Sequence, residues 1–345
     1  MNFKQLGNGR CEGFVILKKC DEKKAKNGST YLDLVIGDND GEMSAKFWDF
    51  HDHGAFEQDM IVKVRGVIEQ YNGRDQFRVT QIRPVKDSDD YNLSDIVPVA
   101  EKGGEQLFDM LRNKVEGFKN ENLKKIALKI IDEKKDKLVK YPAALRLHHA
   151  IVGGLMYHTT SIIMMAEAIC KIYPNVNREL LISGAVLHDV AKTWELEVGS
   201  TGLAKGYTTQ GELIGHLVKG AMYVDEAARE LGLEDSEEAV LLEHMLISHH
   251  GEPEYGAAQR PMFLEAIILS ALDNLDASIW EVNSAIDKVD TGEFTDRQWA
   301  LDNRKLYNHS LTPTTKHTVN FDAGEPRKYK VVRHIKRKDE KGGKE

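Results

Sequence analysis

Hydrophobic positions between residues 11 and 84 alternate with polar ones, which is typical of short β-strands. Turn signals such as Asn27-Gly28 and Asn72-Gly73 separate the segments, because residues that tolerate positive φ allow tight hairpins. Five segments rich in β-branched and aromatic residues result: GFVILKKC, TYLDLVIGD, EMSAKFWDF, MIVKVRGVIEQ and QFRVTQI. The pattern predicts a small five-stranded barrel or sandwich in this region.

From about residue 105 to about Trp280, the hydrophobic spacing follows the 3.6-residue period of α-helices. Clear examples are LFDMLRNKVEGF, NLKKIALKIIDEKK, residues 154–173 and RELLISGAVLHDVAK. Between the two patterns, RPVKDSDDYNLSDIVPVAEKGG carries two prolines, an acidic cluster and a closing Gly-Gly, which favour a linker or wrapping segment. The helical pattern weakens after Asp287.

These patterns predict a multidomain protein with separate β and α regions. We expect a small, partly open, five-stranded OB-like β-barrel in residues 1–84, with a nucleic-acid-binding role; an SH3-like barrel is the alternative. A linker is expected in residues 85–104 and an all-α domain in residues 105–287. Residues 288–345 are expected to form an irregular extension with a basic tail.

Composition and charge narrow the class of protein. The 345 residues include 47 Lys+Arg and 55 Asp+Glu, a net charge of −8. No stretch reaches the roughly 18–20 apolar residues of a transmembrane helix, and the first residues lack a secretory apolar core, so we expect a cytoplasmic protein without a membrane partner. Cys11, Cys20 and Cys170 show no CxxC spacing, which predicts reduced thiols. The last 19 residues, from Arg327, hold nine Lys/Arg and three Asp/Glu, which indicates a solvated tail or a phosphate contact.

Histidine and aspartate side chains recur on the apolar faces of the predicted helices. In LLISGAVLHDVAK, His188 and Asp189 each lie seven residues after an apolar residue, so both border the buried face. A buried carboxylate beside an imidazole is costly unless its charge is compensated, which a bound metal does efficiently. A structural salt bridge is the alternative. The same inward or apolar placement is predicted for His158, His216, His249 and Asp273.

The order of these residues resembles the metal-dependent HD-domain phosphohydrolase superfamily, which makes residues 105–287 an HD domain. The segments HHAIVGGLMYHT, LISGAVLHDVAK, IGHLVKG and ISHHGEPEYG are similar to those of YhaM-type 3′-5′ exoribonucleases. Those proteins also place an OB-fold before the HD domain, so the resemblance covers roughly residues 11 to 280.

The resemblance implies a site with two divalent metal ions. Asp189 would bridge the ions, with His158, His188 and Asp273 completing one set of ligands and His216 and His249 the other. The family implies Mn, replaceable by Co; imidazole and carboxylate ligands also suit Fe, Ni and Zn. His250 is the alternative to His249, and Asp276 the alternative to Asp273. We expect His148, His149 and His244 to lie around the ligands rather than among them.

Two further residues are candidate catalytic groups beside Asp189. Lys192 lies one helical turn after His188 and can offset charge on a phosphate oxygen, while a solvated lysine is the alternative. His250 is a candidate for binding substrate. The chain contains no GxxxxGK[ST] loop, which argues against NTP-driven chemistry.

Aromatic and basic residues in the predicted barrel suit single-stranded nucleic acid. Tyr31 and Phe47 are the candidate stacking residues, although aromatic side chains also fill barrel interiors. Together with these residues, the resemblance to YhaM-type enzymes implies a hydrolase that trims single-stranded RNA, with DNA also possible as a substrate. Trimming from the 3′ end is implied by the resemblance alone. A homo-oligomer is plausible. Alternatives are a phosphodiesterase or nucleotidase acting on small nucleotides, a non-catalytic RNA-binding protein, and, more distantly, a di-iron oxygenase.

Overall fold

The computed structural model describes residues 10–48, 56–86, 88–145, 147–311 and 319–321. The chain divides into two units, Met1–Ala277 and Ser278–Glu345. The predicted basic tail from Arg327 lies outside the described residues.

The strands of the barrel are β1 Arg10–Lys24, β2 Thr30–Gly37, β3 Glu42–Phe47, β4 Ile61–Tyr71 and β5 Arg74–Pro84. They form a closed barrel with the order β1-β2-β3-β5-β4. All neighbours are antiparallel except β3 and β5. The first strand pairs with β4 through its first half and with β2 through its second half, and a register shift at Leu17/Lys19 bends it between them. The barrel is thus closed rather than partly open.

Alternate residues of the strands fill the barrel. Val15, Leu34, Ile36, Val62 and Phe77 are completely or almost completely buried and pack into one cluster. The residues of each strand that point into the barrel are the alternate positions that the sequence predicts to be apolar.

Eight α-helices follow the barrel within the described residues. Several begin directly after a residue whose side chain accepts a backbone N–H from the first turn, such as Asn177 and Thr208. The helices are α1 Gly104–Glu116, α2 Glu121–Leu138, α3 Gly154–Ile172, α4 Arg178–Leu187, α5 Lys192–Glu195, α6 Thr209–Leu231, α7 Glu237–Ser248 and α8 Leu264–Ile286. None of these helices is both long enough and apolar enough to cross a membrane.

A two-stranded hairpin interrupts the helical region, which we expected to be all-α. It pairs β6 Leu196–Val198 with β7 Ala204–Tyr207 between α5 and α6. Strands of three and four residues are too short to show an alternating pattern, and this explains why the sequence did not reveal them.

The predicted continuous helix through RELLISGAVLHDVAK is also divided. Helix α4 ends at Leu187, and His188 keeps helical dihedral angles as its C-terminal cap. The amide of Lys192 then bonds to the carbonyl oxygen of Asp189, three residues back, at 3.0 Å. His188 and Asp189 therefore lie in a tight turn between α4 and α5.

The segment between the barrel and α1 is packed rather than extended. Ile96 and Val97 form a buried cluster with the barrel residues Ile16 and Ile61. Val152, just before α3, and Leu203, in the β6–β7 hairpin, pack against this same cluster. We call these residues the joint cluster. Barrel and helical region thus share an apolar contact within the unit Met1–Ala277.

The second unit contains the end of α8 and an irregular hairpin. Isolated bridges join Phe294 to Tyr307 and Gln298 to Arg304. The side-chain amide of Asn308 donates to the carbonyl oxygens of Ile286 and Val289, at 3.2 and 2.9 Å, which ties the hairpin to the helix end.

Candidate metal centre

Asp189 occupies the middle of a buried cluster, and its two carboxylate oxygens face different histidines. Oδ2 lies 3.2 Å from Nε2 of His188 and 3.5 Å from Nε2 of His158. Oδ1 lies 3.4 Å from Nε2 of His216 and 3.8 Å from Nε2 of His249. The centre therefore has two halves, which we call the Oδ2 half and the Oδ1 half.

Asp273, from α8, belongs to the Oδ2 half. Its Oδ1 lies 3.1 Å from Nε2 of His158 and 4.0 Å from Nε2 of His188. His158, His188 and Asp273 place their potential ligand atoms close enough together to hold one ion, as do His216, His249 and His250. Six residues from five parts of the chain thus converge around Asp189.

Each of the four imidazoles that face Asp189 is held from behind through Nδ1. Nδ1 of His188 lies 2.8 Å from the carbonyl oxygen of Ala185, and Nδ1 of His249 lies 2.8 Å from that of Leu246. Because a carbonyl oxygen only accepts, these Nδ1 atoms carry the proton. Their Nε2 lone pairs therefore point into the cluster, the orientation that a metal ligand needs.

Carboxylates hold the other two imidazoles. Nδ1 of His158 donates to Oδ2 of Asp276 at 2.7 Å, and Nδ1 of His216 donates to Oε1 of Glu195 at 2.9 Å. Each half of the centre therefore contains one histidine backed by a carboxylate and one backed by a backbone carbonyl.

The cluster fits a bound cation. Both oxygens of Asp189 and Nε2 of His216 and His249 are buried without a hydrogen bond of adequate geometry. Burial opposes the charged form of His158, but hydrogen bonds to Asp273 and Asp276 raise its pKa to about 10, so the carboxylates favour positive charge there. Burial lowers the pKa of His216 and His249, which keeps these imidazoles neutral and able to ligate. Imidazole and carboxylate donors suit a divalent transition metal.

Asp276 lies behind the cluster rather than in it. Its Oδ2 is 2.7 Å from Nε2 of the buried His149 as well as from Nδ1 of His158, and its Oδ1 accepts a hydrogen bond from Ser161. Asp273 is the carboxylate that faces the two Nε2 atoms.

Lys192 is buried, with only 8% of its surface exposed, so it is not a solvated lysine. Its Nζ lies 2.7 Å from Oδ2 of Asp189. Burial opposes its charge, but the neighbouring Asp189 carboxylate outweighs this effect and raises the pKa of Lys192. The ammonium group therefore stays charged beside the carboxylate.

Further histidines surround the cluster. Nδ1 of His250 donates to the carbonyl oxygen of Tyr255 at 2.8 Å, and burial lowers the pKa of His250 to about 4. The ring centroid of His148 lies 5.4 Å from that of His158. His244, by contrast, contacts the segment before α8, where its Nε2 accepts a hydrogen bond from the amide of Met262 at 3.1 Å.

On the barrel, the structure separates the two predicted stacking residues. Tyr31 lies on the outer face of β2, where its ring stacks on Trp48 with centroids 4.5 Å apart. Phe47 pairs with the buried Leu32 and packs against the barrel core. Tyr31 and Phe47 therefore do not form one surface. The stacked pair, which we call the Tyr31–Trp48 platform, takes their place, with Trp48 exposed and Tyr31 half-buried.

Lysines surround this platform. Nζ of Lys46 lies 5.0 Å from the ring centroid of Tyr31 and 2.6 Å from Oδ1 of Asp33. Lys19 and Lys23 also form ion pairs with Asp33. Exposed rings beside cations are the combination that single-stranded nucleic acids bind.

Glu195 is the residue of the centre that the sequence reasoning missed. It lies three residues after Lys192 on the short helix α5 and is 7% exposed. The spacing from Lys192 was a usable signal, because residues three apart share a helix face.

Known proteins match both parts of the chain. Residues 155–278 match the HD domain family, and residues 10–85 match an OB-fold nucleic acid binding domain. The 3′-5′ exoribonuclease YhaM of Bacillus subtilis strain 168 is 36% identical over 296 residues, which are 85% of this chain and 93% of that protein. The chain belongs to the YhaM family.

Other members match over a similar share of the chain. The YhaM exoribonuclease of Bacillus licheniformis is 36% identical over 85% of this chain and 93% of its own length. That of Listeria welshimeri is 38% identical over 86% of this chain and 94% of its own length. The HD domain match and the His/Asp cluster together indicate a divalent metal site.

Proposed function

We propose that the protein is a metal-dependent 3′-5′ exoribonuclease, which hydrolyses phosphodiester bonds of single-stranded RNA and releases nucleoside monophosphates. The observation that carries the proposal is the two-sided environment of Asp189, with His188 3.2 Å from Oδ2 and His216 3.4 Å from Oδ1. The RNA substrate and the 3′-5′ direction rest on membership of the YhaM family.

His158, His188 and Asp273 would hold one ion, His216 and His249 the other, and Asp189 would bridge them. Two bound divalent ions supply an activated water and stabilise negative charge on the phosphate oxygens. We infer Mn as the ion because the YhaM family implies it. Nitrogen and oxygen donors without thiolate suit Co, Fe, Ni and Zn as well, and these ions are the alternatives.

The protein residues around this centre bind and orient the substrate. Lys192, already charged and 2.7 Å from Asp189, can contact a phosphate oxygen and offset the charge that develops during hydrolysis. His250 lies beside His216, with ring centroids 5.0 Å apart, where its unprotonated Nε2 can accept a hydrogen bond from substrate or replace His249 as a ligand.

We infer that the Tyr31–Trp48 platform holds the RNA strand while its 3′ end occupies the metal centre. Stacking tolerates any base, so broad sequence preference is expected. Binding of single-stranded DNA, a cytoplasmic location and a homo-oligomer remain predictions from the sequence.

The proposal is tested by incubating the protein and Mn²⁺ with single-stranded RNA labelled at its 5′ end. A ladder shortening from the 3′ end is expected, and Asp189→Ala should abolish it. Asp235→Ala is the matched control, since Asp235 is an exposed aspartate between α6 and α7. If the RNA stays intact while small nucleotides are hydrolysed, the protein is a phosphodiesterase or nucleotidase. If RNA binds tightly and nothing is hydrolysed, it is an RNA-binding protein.

A further inference from the structure

A break in helix α6 places His216. Gly215 has φ 76° and ψ 160°, which interrupts the helix just before the histidine. In a continuous helix the amide of His216 would bond to the carbonyl oxygen of Glu212, four residues back. That amide donates instead to Oε1 of Glu195, at 2.9 Å.

The same oxygen of Glu195 also accepts from Nδ1 of His216, at 2.9 Å. One carboxylate therefore satisfies the amide freed by the break and fixes the rotation of the ring. With Nδ1 held in this way, Nε2 of His216 points toward Oδ1 of Asp189, 3.4 Å away.

The backbone around Glu195 is fixed as well. Its carbonyl oxygen accepts from the amide of Thr208, at 2.9 Å, and a Cβ on Gly211 would lie only 2.4 Å from that oxygen. The first turn of α6 thus packs directly on α5. Glu195 and His216 are set by the same contact between two helices.

We propose that Glu195 is a positioning residue for the Oδ1 half of the centre, which holds His216 in the orientation and tautomer required for metal binding at that half alone. This inference rests on the proposed function, because it requires that the centre binds metal. Asp276 stands in the same relation to His158 in the Oδ2 half. Removal of a carboxylate behind a histidine ligand typically weakens metal binding about 10- to 100-fold.

The test measures Mn²⁺ affinity by the free-ion signal in electron paramagnetic resonance, for Glu195→Gln in two backgrounds. Gln keeps the shape and one acceptor but not the charge. In His158→Ala, which impairs the Oδ2 half, Glu195→Gln is expected to weaken the remaining affinity about 10- to 100-fold. In His216→Ala the same change is expected to have no effect, since the ring that Glu195 holds is absent.

The control is Glu197→Gln, which alters an exposed glutamate two residues away. Equal weakening in both backgrounds, or none in His158→Ala, would overturn the inference. If Glu195→Gln does not fold, Glu195→Asp takes its place, because Asp keeps the charge but withdraws the oxygen from both donors. This variant should also weaken Mn²⁺ binding in the His158→Ala background and not in the His216→Ala background. Failure of the unsubstituted protein to bind Mn²⁺ would instead refute the proposed function.

Discussion

Oδ2 of Asp276 lies 2.7 Å from Nδ1 of His158, on the side of the ring opposite Nε2, which faces Asp189. Asp276 therefore acts on His158 from behind, while Asp273 meets Nε2 at 3.1 Å from the other side. Two carboxylates three residues apart on α8 contact the same imidazole in different ways.

Substitution should distinguish these two carboxylates. Asp273→Asn removes a candidate ligand, so RNA trimming should fall below detection at any Mn²⁺ concentration. Asp276→Asn keeps a hydrogen-bonding side chain, so activity should recover at Mn²⁺ concentrations about 10- to 100-fold higher. Initial rates of RNA trimming, measured over a Mn²⁺ titration, distinguish the two variants. Recovery of activity at high Mn²⁺ in Asp273→Asn but not in Asp276→Asn would reverse the assignment.

Metal binding should stabilise the folded protein. Because the centre forms only in the folded state, Mn²⁺ at 100 times its dissociation constant should add about 2.7 kcal/mol to the free energy of unfolding. Thermal melts with Mn²⁺ and with a chelator measure this change. Asp189→Ala should melt at the same temperature in both conditions, and a persistent Mn²⁺ shift in that variant would place the bound ion elsewhere.

The barrel aromatics should separate into binding and structural residues. Trp48→Ala removes half of the Tyr31–Trp48 platform and should weaken RNA binding by about 1–3 kcal/mol. Phe47→Ala should lower the free energy of unfolding by about 2 kcal/mol because Phe47 packs against the core. Tyr173→Ala, at an exposed tyrosine after α3, is the control. Fluorescence anisotropy and denaturant melts on the same samples compare the two effects.

The break in α6 should depend on glycine. At φ 76° and ψ 160°, Gly215 occupies a region that is almost exclusive to glycine, so Gly215→Ala should cost about 1–3 kcal/mol of stability. Any relaxation toward a regular helix would also turn His216 away from Asp189. Gly206→Ala, with open space around its Cβ position and no positive φ, should be neutral. Denaturant melts and Mn²⁺ titration together test both effects.

A partly buried cluster of ion-paired side chains predicts that the free energy of unfolding depends on pH. Hydrogen bonds from Arg178, and from Lys114, hold the pKa of Glu167 below its usual 4.5 despite partial burial. A lowered pKa in the folded state contributes stability above pH 4.5 that is lost as the pH falls through the lower folded value. Melts from pH 6 to pH 3 should therefore show a smaller loss of stability in Glu167→Gln than in the unsubstituted protein.

The sequence predicted the ligand candidates best where a regular helix carries them. His158 and Asp273 lie within α3 and α8, so helical spacing alone places them inward. His188 and His249 cap the ends of α4 and α7, and their orientation depends on hydrogen bonds to Ala185 and Leu246 that spacing does not reveal.

Other features depend on tertiary contacts. Phe47 and Trp48 are adjacent and both aromatic, so alternation could not decide which of them faces the core; the pairing of Phe47 with Leu32 decides it. The spacing from Lys192 indicates only that Glu195 shares a helix face with it. Its role toward His216 follows from the break in α6 and from the contact between α5 and α6, which bring together residues 21 positions apart.

Through the joint cluster, the barrel buries apolar side chains of the helical region and so contributes to the stability of that region. Leu203 and Val152 bury apolar surface against Ile16 and Ile61, and the hairpin that carries Leu203 continues directly from α5 and Glu195. The two regions should consequently melt in one cooperative transition. Fusing this helical region to an unrelated nucleic-acid-binding module would leave Val152 and Leu203 in water, so exchange of modules requires an apolar surface that matches them.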